Sequence, residues 1–224
     1  MIHIFYRHYQ VEGSDYKSRP KWFDFEKCFV NLLTSIDNKD VKLHVVFDGN
    51  AQNNFIWKYK NHYTLHEFKG GNDFASAMEA YRLAKEIVVG DNDLIYFLEN
   101  DYLHINNWVN IIEELFETYS NINYVSLYDH NDKYFLPMYE DLVSKIFTTE
   151  NHHWRTTPST CGTFIIKNSL FKEDYDIHKG LEGDHNKYLW LTENKNRFVI
   201  TPIPGLSTHC MEGLMSPTIN WKNV

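Results

Sequence analysis

Asp93-Leu94-Ile95-Tyr96-Phe97-Leu98-Glu99-Asn100-Asp101 is the stretch whose reading decides the fold. Its apolar run, Leu94 to Leu98, is short and rich in aromatic and branched residues, and it follows the turn-forming Gly90-Asp91-Asn92. That pattern reads as a buried strand rather than a piece of helix. Acidic groups placed where a central strand stops lie at the carboxyl edge of a sheet, where open α/β folds bind their ligands. Hard oxygen ligands there suit Mg²⁺ or Mn²⁺, which bind through one or two carboxylates plus substrate phosphates. Read alone, the triplet is equally an ordinary polar turn, so the elements around it carry the decision.

Working upstream, Lys69-Gly70-Gly71-Asn72-Asp73 opens a helix that Asn72 or Asp73 can cap, with Phe74, Ala77, Met78, Tyr81, Ala84 and Val88 as its apolar stripe. Strands are predicted over 2–6, 41–47 and 62–68, and the second stops at Asp48-Gly49-Asn50. A helix starting at Phe25 carries Cys28, Phe29, Leu32, Leu33 and Ile36 on one face, and 53–59 reads as a short helix. Residues 7–20 form a long loop, and long loops in compact domains are often functional. Downstream, a helix starting at Asn106 or Asn107 carries Trp108, Ile111, Ile112, Leu115, Phe116 and Tyr119, and a strand follows over 123–128. Strand and helix alternate this far, which predicts a mostly parallel sheet covered on both faces. Beyond Asp129 the rhythm loosens: strands over 145–155, 163–166 and 197–203, short helices over 168–175 and 184–191, and a tail without period. No linker interrupts the chain, so 1–224 is read as one domain with halves 1–128 and 129–224.

Composition narrows the function classes. The net charge of -8 argues against a dedicated nucleic-acid binder, which needs a basic face for the phosphates. Three cysteines, Cys28, Cys161 and Cys210, cannot all pair within one chain and lack metal-finger spacing, so a reduced compartment is expected. No stretch approaches the roughly 20 apolar residues of a membrane span, and the first strand begins at once without a signal peptide. The expectation is a soluble, cytoplasmic protein, with peripheral membrane contact left open.

With these pieces in order, the sequence resembles a glycosyltransferase of the nucleotide-sugar-binding GT-A fold, in the style of glycosyltransferase family 2. The resemblance runs from Ile2 to about Trp221 and is one of order and motif. It implies a nucleotide-binding first half, an irregular acceptor-binding second half, and transfer from a nucleoside-diphosphate sugar, a UDP-sugar first, to a glycan or lipid-linked acceptor hydroxyl with inversion. Glu99-Asn100-Asp101 stands where the family has its Asp-x-Asp-like motif, which implies Asp101 as ligand to Mn²⁺ or Mg²⁺, with Glu99 and Asn100 toward the donor. Tyr6, Arg7 and Asp48 stand where the family contacts the nucleotide, and Asn72 and Ser76 where its chain passes beneath the ribose and diphosphate. On residue type alone, Asp48 is as well explained as a turn residue before Gly49.

The resemblance further implies a base at the start of a helix in the second half. Gly180-Leu181-Glu182-Gly183-Asp184 offers Asp184 first and Glu182 in reserve, although either could simply cap the helix. The tail 206–217 resembles the family's closing loop and implies His209 as a metal ligand, while 160–164 resembles the segment lining the donor sugar. Trp154 and Trp190 are candidates for stacking on sugars, or for the core. Two other readings stay open: a sugar nucleotidyltransferase, and a non-catalytic carbohydrate or nucleotide-sugar binder with a degenerate GT-A fold. Against the former, residues 7–20 contain only Gly13 and no glycine-rich phosphate loop.

Overall fold

The computed structural model describes residues 1–9, 17–180 and 183–224. The decisive stretch is strand β4, Leu94–Glu99, and its position explains its composition. Leu94, Tyr96 and Leu98 enter one apolar cluster and Ile95 and Phe97 the other, so both faces of the strand are buried. β1 (Ile2–Tyr9) and β2 (Val41–Asp48) divide their side chains between the same two clusters. With β3 (Thr64–Phe68) they form a parallel run in the order β3-β2-β1-β4.

The helices cover the two faces. On one side lie α1 (Phe25–Ser35) and α3 (Trp108–Thr118), which bring Phe29, Leu32, Trp108 and Ile112 against the sheet. On the other lie α2 (Asp73–Ile87), α4 (Asn168–Gly180) and α5 (Asp184–Lys195), which contribute Ala80, Tyr81, Ala84, Phe171, Tyr188 and Leu191. α2 starts where the sequence places it, with Asn72 accepting from the Ala75 N–H. Of the expected stripe, Tyr81, Ala84 and Val88 are buried and Ala77 and Met78 pack against the same cluster; Ser76, Ala80 and Leu83 join them, while Phe74 is 50% exposed. Small residues let the helix sit close on the sheet, and Phe74, in the first turn, lies beyond that contact.

The second half adds strands of mixed direction. β9 (Phe164–Lys167) runs antiparallel between β4 and the two-residue β6 (Tyr124–Val125). β10 (Val199–Ile203) continues parallel to β6, and the region 145–155 is a hairpin of β7 (Ile146–Thr148) and β8 (His153–Thr157) rather than one strand. The stretch expected as a short helix is two 3-10 turns, Ala51–Asn53 and Phe55–His62. A second sheet, unseen in the sequence, pairs β5 (Tyr102–His104) with β11 (Ser207–His209). Each strand has three residues, too few for a periodic signal. Trp154 is fully buried and its indole donates to Thr149 Oγ1 at 3.3 Å, so it belongs to the core and not to a sugar platform.

One buried ion pair braces the second half. Arg155 Nη2 donates to Asp129 Oδ1 at 2.7 Å, and the Tyr134 hydroxyl donates to the other oxygen at 2.7 Å. Asp129 is 1% exposed, so removing its charge strands a guanidinium that water cannot reach. Asp129→Ala is therefore expected to lower unfolding free energy by about 3–5 kcal/mol in a denaturant titration. A loss under about 1 kcal/mol would mean the pair is solvated.

Candidate active site

The sequence-predicted residues gather along the carboxyl ends of β2, β1 and β4, three neighbouring strands. Asp48 ends β2 and accepts from the N–H groups of Gly70 (2.9 Å) and Gly71 (2.6 Å). It thereby holds the turn that leads into Asn72 and α2, where φ of +77° at Gly71 favours glycine. Arg7 lies in β1, not in the following loop, and its guanidinium is a clamp: Nη1 reaches Asp73 Oδ1 at 2.8 Å and Nη2 reaches Glu99 Oε1 at 2.8 Å. Glu99 is raised above the ordinary carboxylate range because burial outweighs the attraction of Arg7. Ser76 lies on the buried face of α2, one turn beyond its cap.

Asn100 and Tyr6 turn inward. The Asn100 amide donates to His8 Nδ1 at 2.7 Å, and the Tyr6 hydroxyl to the Asn100 carbonyl at 3.3 Å. Tyr6 is paired within the sheet to Val45 and Leu98, because β1 continues to Tyr9. Together they brace the turn after β4 rather than face its mouth.

On the far side of the cleft, Gly162 allows the closest approach. A Cβ there would lie 2.9 Å from Arg7 Nη2, 3.4 Å from Glu99 Oε1 and 3.9 Å from Asp184 Oδ2. The 160–164 segment is thus brought against the β4 end, as its glycine suggests. Asp184 opens α5 with a side chain 40% exposed, and Lys187 Nζ lies 3.4 Å from its Oδ1. Glu182 lies outside the described residues. Trp190, 37% exposed, is the tryptophan of the pair that reaches the surface.

Asp101 is 1% exposed, and its Oδ2 meets Lys17 Nζ at 2.7 Å, Arg19 Nη2 at 2.9 Å and His209 Nε2 at 3.0 Å. The β5–β11 ribbon and the Cys210 N–H bond to the Asp101 carbonyl (2.8 Å) bring His209 there, and its ring stacks on Tyr102. Burial alone would raise the Asp101 carboxyl, but the His209 hydrogen bond and the Lys17 charge outweigh it and hold it far below its usual range. His209 Nε2 is also 3.2 Å from Lys17 Nζ, so it accepts from Lys17 or donates to Asp101, not both.

The two expected metal ligands are therefore adjacent, but their surroundings do not fit a divalent cation. Asp101 Oδ1 is buried without a hydrogen-bond partner, which leaves one oxygen for another donor. Against that, a single carboxylate charge already faces two fixed cations. Like unit charges at 4 Å near a protein surface repel by about 4 kcal/mol, and a doubly charged ion doubles this for each cation. Glu99 is committed to Arg7, and among the described residues no three His, Cys, Asp or Glu side chains converge as a metal site. Lys17 and Arg19 are the site residues that sequence reading missed; their place in the long loop after β1 was the only signal.

No protein family and no curated protein matches the sequence. Solved structures do resemble the fold. S. aureus TarS 1-349 matches with a TM-score of 0.50 at 13% identity over 89% of this chain. The same fragment in complex with UDP-GlcNAc matches with a TM-score of 0.50 at 12% identity over 89% of this chain. This chain spans 57% and 55% of those two TarS chains. A CMP:2-keto-3-deoxy-manno-octonic acid synthetase complexed with CTP matches with a TM-score of 0.51 at 10% identity, over 91% of this chain and 92% of that one. At such identities the likeness speaks to architecture. This chain shares the α/β fold of TarS and of that synthetase, with its acidic strand end at the carboxyl edge of the sheet.

Proposed function

We propose that this chain is a glycosyltransferase that binds a nucleoside-diphosphate sugar, a UDP-sugar first, across the carboxyl ends of β2, β1 and β4. The sugar passes to a hydroxyl of a glycan or lipid-linked acceptor with inversion. The observation that carries this reading is the meeting of Arg7, Glu99, Gly162 and Asp184 at the mouth of β4. A sugar ring resting there can use Glu99 and the 160–164 backbone for its hydroxyls. Asp184, half-exposed on the opposite wall, can take the proton of an incoming acceptor hydroxyl as it attacks the anomeric carbon. Asp48 and Asn72 act indirectly, by fixing the turn that frames the nucleotide side.

No described helix is long and apolar enough to cross a membrane, which fits an acceptor met at a surface or in solution. A nucleotidyltransferase reading has a specific support of its own, the fold shared with a synthetase complexed with CTP. The products separate the readings. A glycosyltransferase releases nucleoside diphosphate from a nucleotide sugar in the presence of acceptor or water. A nucleotidyltransferase releases pyrophosphate from a nucleoside triphosphate and a sugar. A screen of nucleotide sugars for thermal stabilisation finds the donor, since a ligand bound only by the native state raises stability by mass action. A donor that stabilises the protein yet is never turned over, across a panel of acceptors, would make it a binder.

A further inference from the structure

We propose that Tyr81 reads one hydroxyl of the transferred sugar, through its own hydroxyl, at the floor of the cleft beneath Arg7 and Glu99. This rests on the donor-binding reading above and adds a residue that sets which sugar is accepted.

Three observations carry it. The first is placement. Side chains alternate along a strand, so Arg7 shares a face of β1 with Phe5, and Glu99 shares a face of β4 with Phe97. Phe5 and Phe97 lie in the cluster that α2 covers, so Arg7 and Glu99 project on that side of the sheet. Tyr81 of α2 meets Phe97 edge-on, with ring centroids 4.7 Å apart, and its ring lies 6.5 Å from that of Phe164. Its hydroxyl feels Arg7, Asp184, Glu99 and Asp73 together, the charged groups that frame the mouth of β4. The ring thus rests on the sheet just below the Arg7–Glu99 pair, with its hydroxyl directed at them.

The second observation is an unused hydrogen-bonding group. Tyr81 is 2% exposed, yet among the described residues nothing hydrogen-bonds its hydroxyl. A buried phenol normally finds a partner. Burial pushes this hydroxyl up against the pull of Arg7, so it keeps its proton and can both donate and accept. The third observation is that its neighbours are unsatisfied too. Arg7 Nε and the Tyr188 hydroxyl are buried without a partner. Tyr188 stands one turn after Asp184 on α5, and Asp184 and Tyr81 are the groups that act on it most strongly. One such group is an ordinary imperfection, but three around one cleft point to a polar ligand.

A sugar hydroxyl suits the place because it donates and accepts at once. A phosphate oxygen only accepts, and it is disfavoured beside Glu99 and Asp184. The consequence is discrimination. A site built to hydrogen-bond a substrate hydroxyl rejects the analogue lacking it, because the buried group is then left unpaired.

The test is calorimetric titration of six nucleotide sugars into the intact chain and its Tyr81→Phe variant. They are UDP-glucose, UDP-galactose, UDP-N-acetylglucosamine, dTDP-glucose, GDP-mannose and ADP-glucose, each with its matching diphosphate. The expected result is that a nucleotide sugar binds, and that Tyr81→Phe weakens it by roughly 10- to 100-fold, the cost of leaving a buried polar group unsatisfied. The matching diphosphate should bind the variant unchanged. Deoxy analogues of that donor then locate the hydroxyl: one loses a similar factor on the unaltered chain and almost nothing further on the variant. The melting temperature of Tyr81→Phe should equal or exceed that of the unaltered protein, since the hydroxyl holds no partner in the fold. A variant that melts clearly lower, or does not fold, shows the hydroxyl committed to the protein itself and overturns the proposal. Unchanged affinity for the nucleotide sugar overturns it, as does an equal loss for the diphosphate. Binding of a diphosphate but of no nucleotide sugar overturns it while the nucleotide side of the donor reading stands. If neither class binds, the donor reading itself falls, and this inference with it.

Discussion

Asp184→Asn is expected to leave donor affinity intact while transfer falls by roughly 10²–10⁴-fold, the usual loss when a general base is removed. The sequence left open whether this acid is a base or a cap. In the structure the capping position of α5 is Gly183, with φ of +79° and no side chain. The Asp184 carboxylate is therefore released from capping, and it contacts Lys187 Nζ at 3.4 Å at the rim of the cleft. A side chain 40% exposed can meet an acceptor hydroxyl from solvent and return the proton to water afterwards. Asparagine preserves the shape and the position in the first turn but cannot take a proton. Melting temperature and donor affinity should thus match the unaltered protein within error. Glu182→Gln, on the neighbouring acid, is expected to retain most of the rate. Near-normal transfer by Asp184→Asn beside a collapse in Glu182→Gln would move the role to Glu182. Activity kept in both would remove this mechanism.

What could be read in advance followed the range of the interactions. The β4 run and the Asn72 cap are local patterns, so the strand, its acidic end and the helix before it were legible. Arg7 and Asp48 were assigned to the nucleotide side by the family resemblance, and they do lie toward the carboxyl ends of neighbouring parallel strands. What Arg7 does there depends on Asp73 and Glu99, 66 and 92 residues away, and no spacing rule reports that. The same holds for Lys17 and Asp101, 84 residues apart, whose pairing changes the chemistry expected of the motif. The α2 stripe was legible except at its start: Tyr81, Ala84 and Val88 are buried as expected, but hydrophobic periodicity overlooks small residues, so it missed Ser76 and Ala80 on the buried face and included Phe74, which is exposed. The two- and three-residue strands β5, β6 and β11 pair across long separations, so their order was invisible before the fold was known.

Acid should unfold this protein well before its carboxylates titrate, because several histidines are buried in neutral form. Burial lowers His8 and His44 to about 4 and His104 and His178 to about 3. Their hydrogen bonds explain why a second proton finds no place. The Tyr124 hydroxyl gives its proton to Asp174 Oδ2 at 2.8 Å, so His178 Nε2–H must donate to the Tyr124 oxygen at 3.0 Å. The bare nitrogen, Nδ1, is buried without a partner, as is Nδ1 of His104, whose Nε2 pairs with the Tyr96 hydroxyl. His8 accepts from Asn100 at Nδ1, and His44 lies between His3 and His66 in a row across three strands. Unfolded, each titrates near 6.5. Between that value and the depressed folded one the unfolded chain binds more protons, so stability is complete above about pH 6.5 and falls as pH drops. Each histidine costs about 1.4 kcal/mol per pH unit below 6.5, or roughly 2 kcal/mol at pH 5. Glu99 acts in the opposite sense, since its raised carboxyl favours the native state in acid, but it is a single group, and burial lowers His3, His66 and His130 as well. Domains of this kind hold about 5–15 kcal/mol in total. The urea midpoint should accordingly be flat from pH 8 to 7, decline steadily below 6.5, and reach zero between about pH 5 and 4. A midpoint unchanged down to pH 4.5 would mean these imidazoles are solvated, and would dismantle the buried hydrogen-bond arrangement drawn for them.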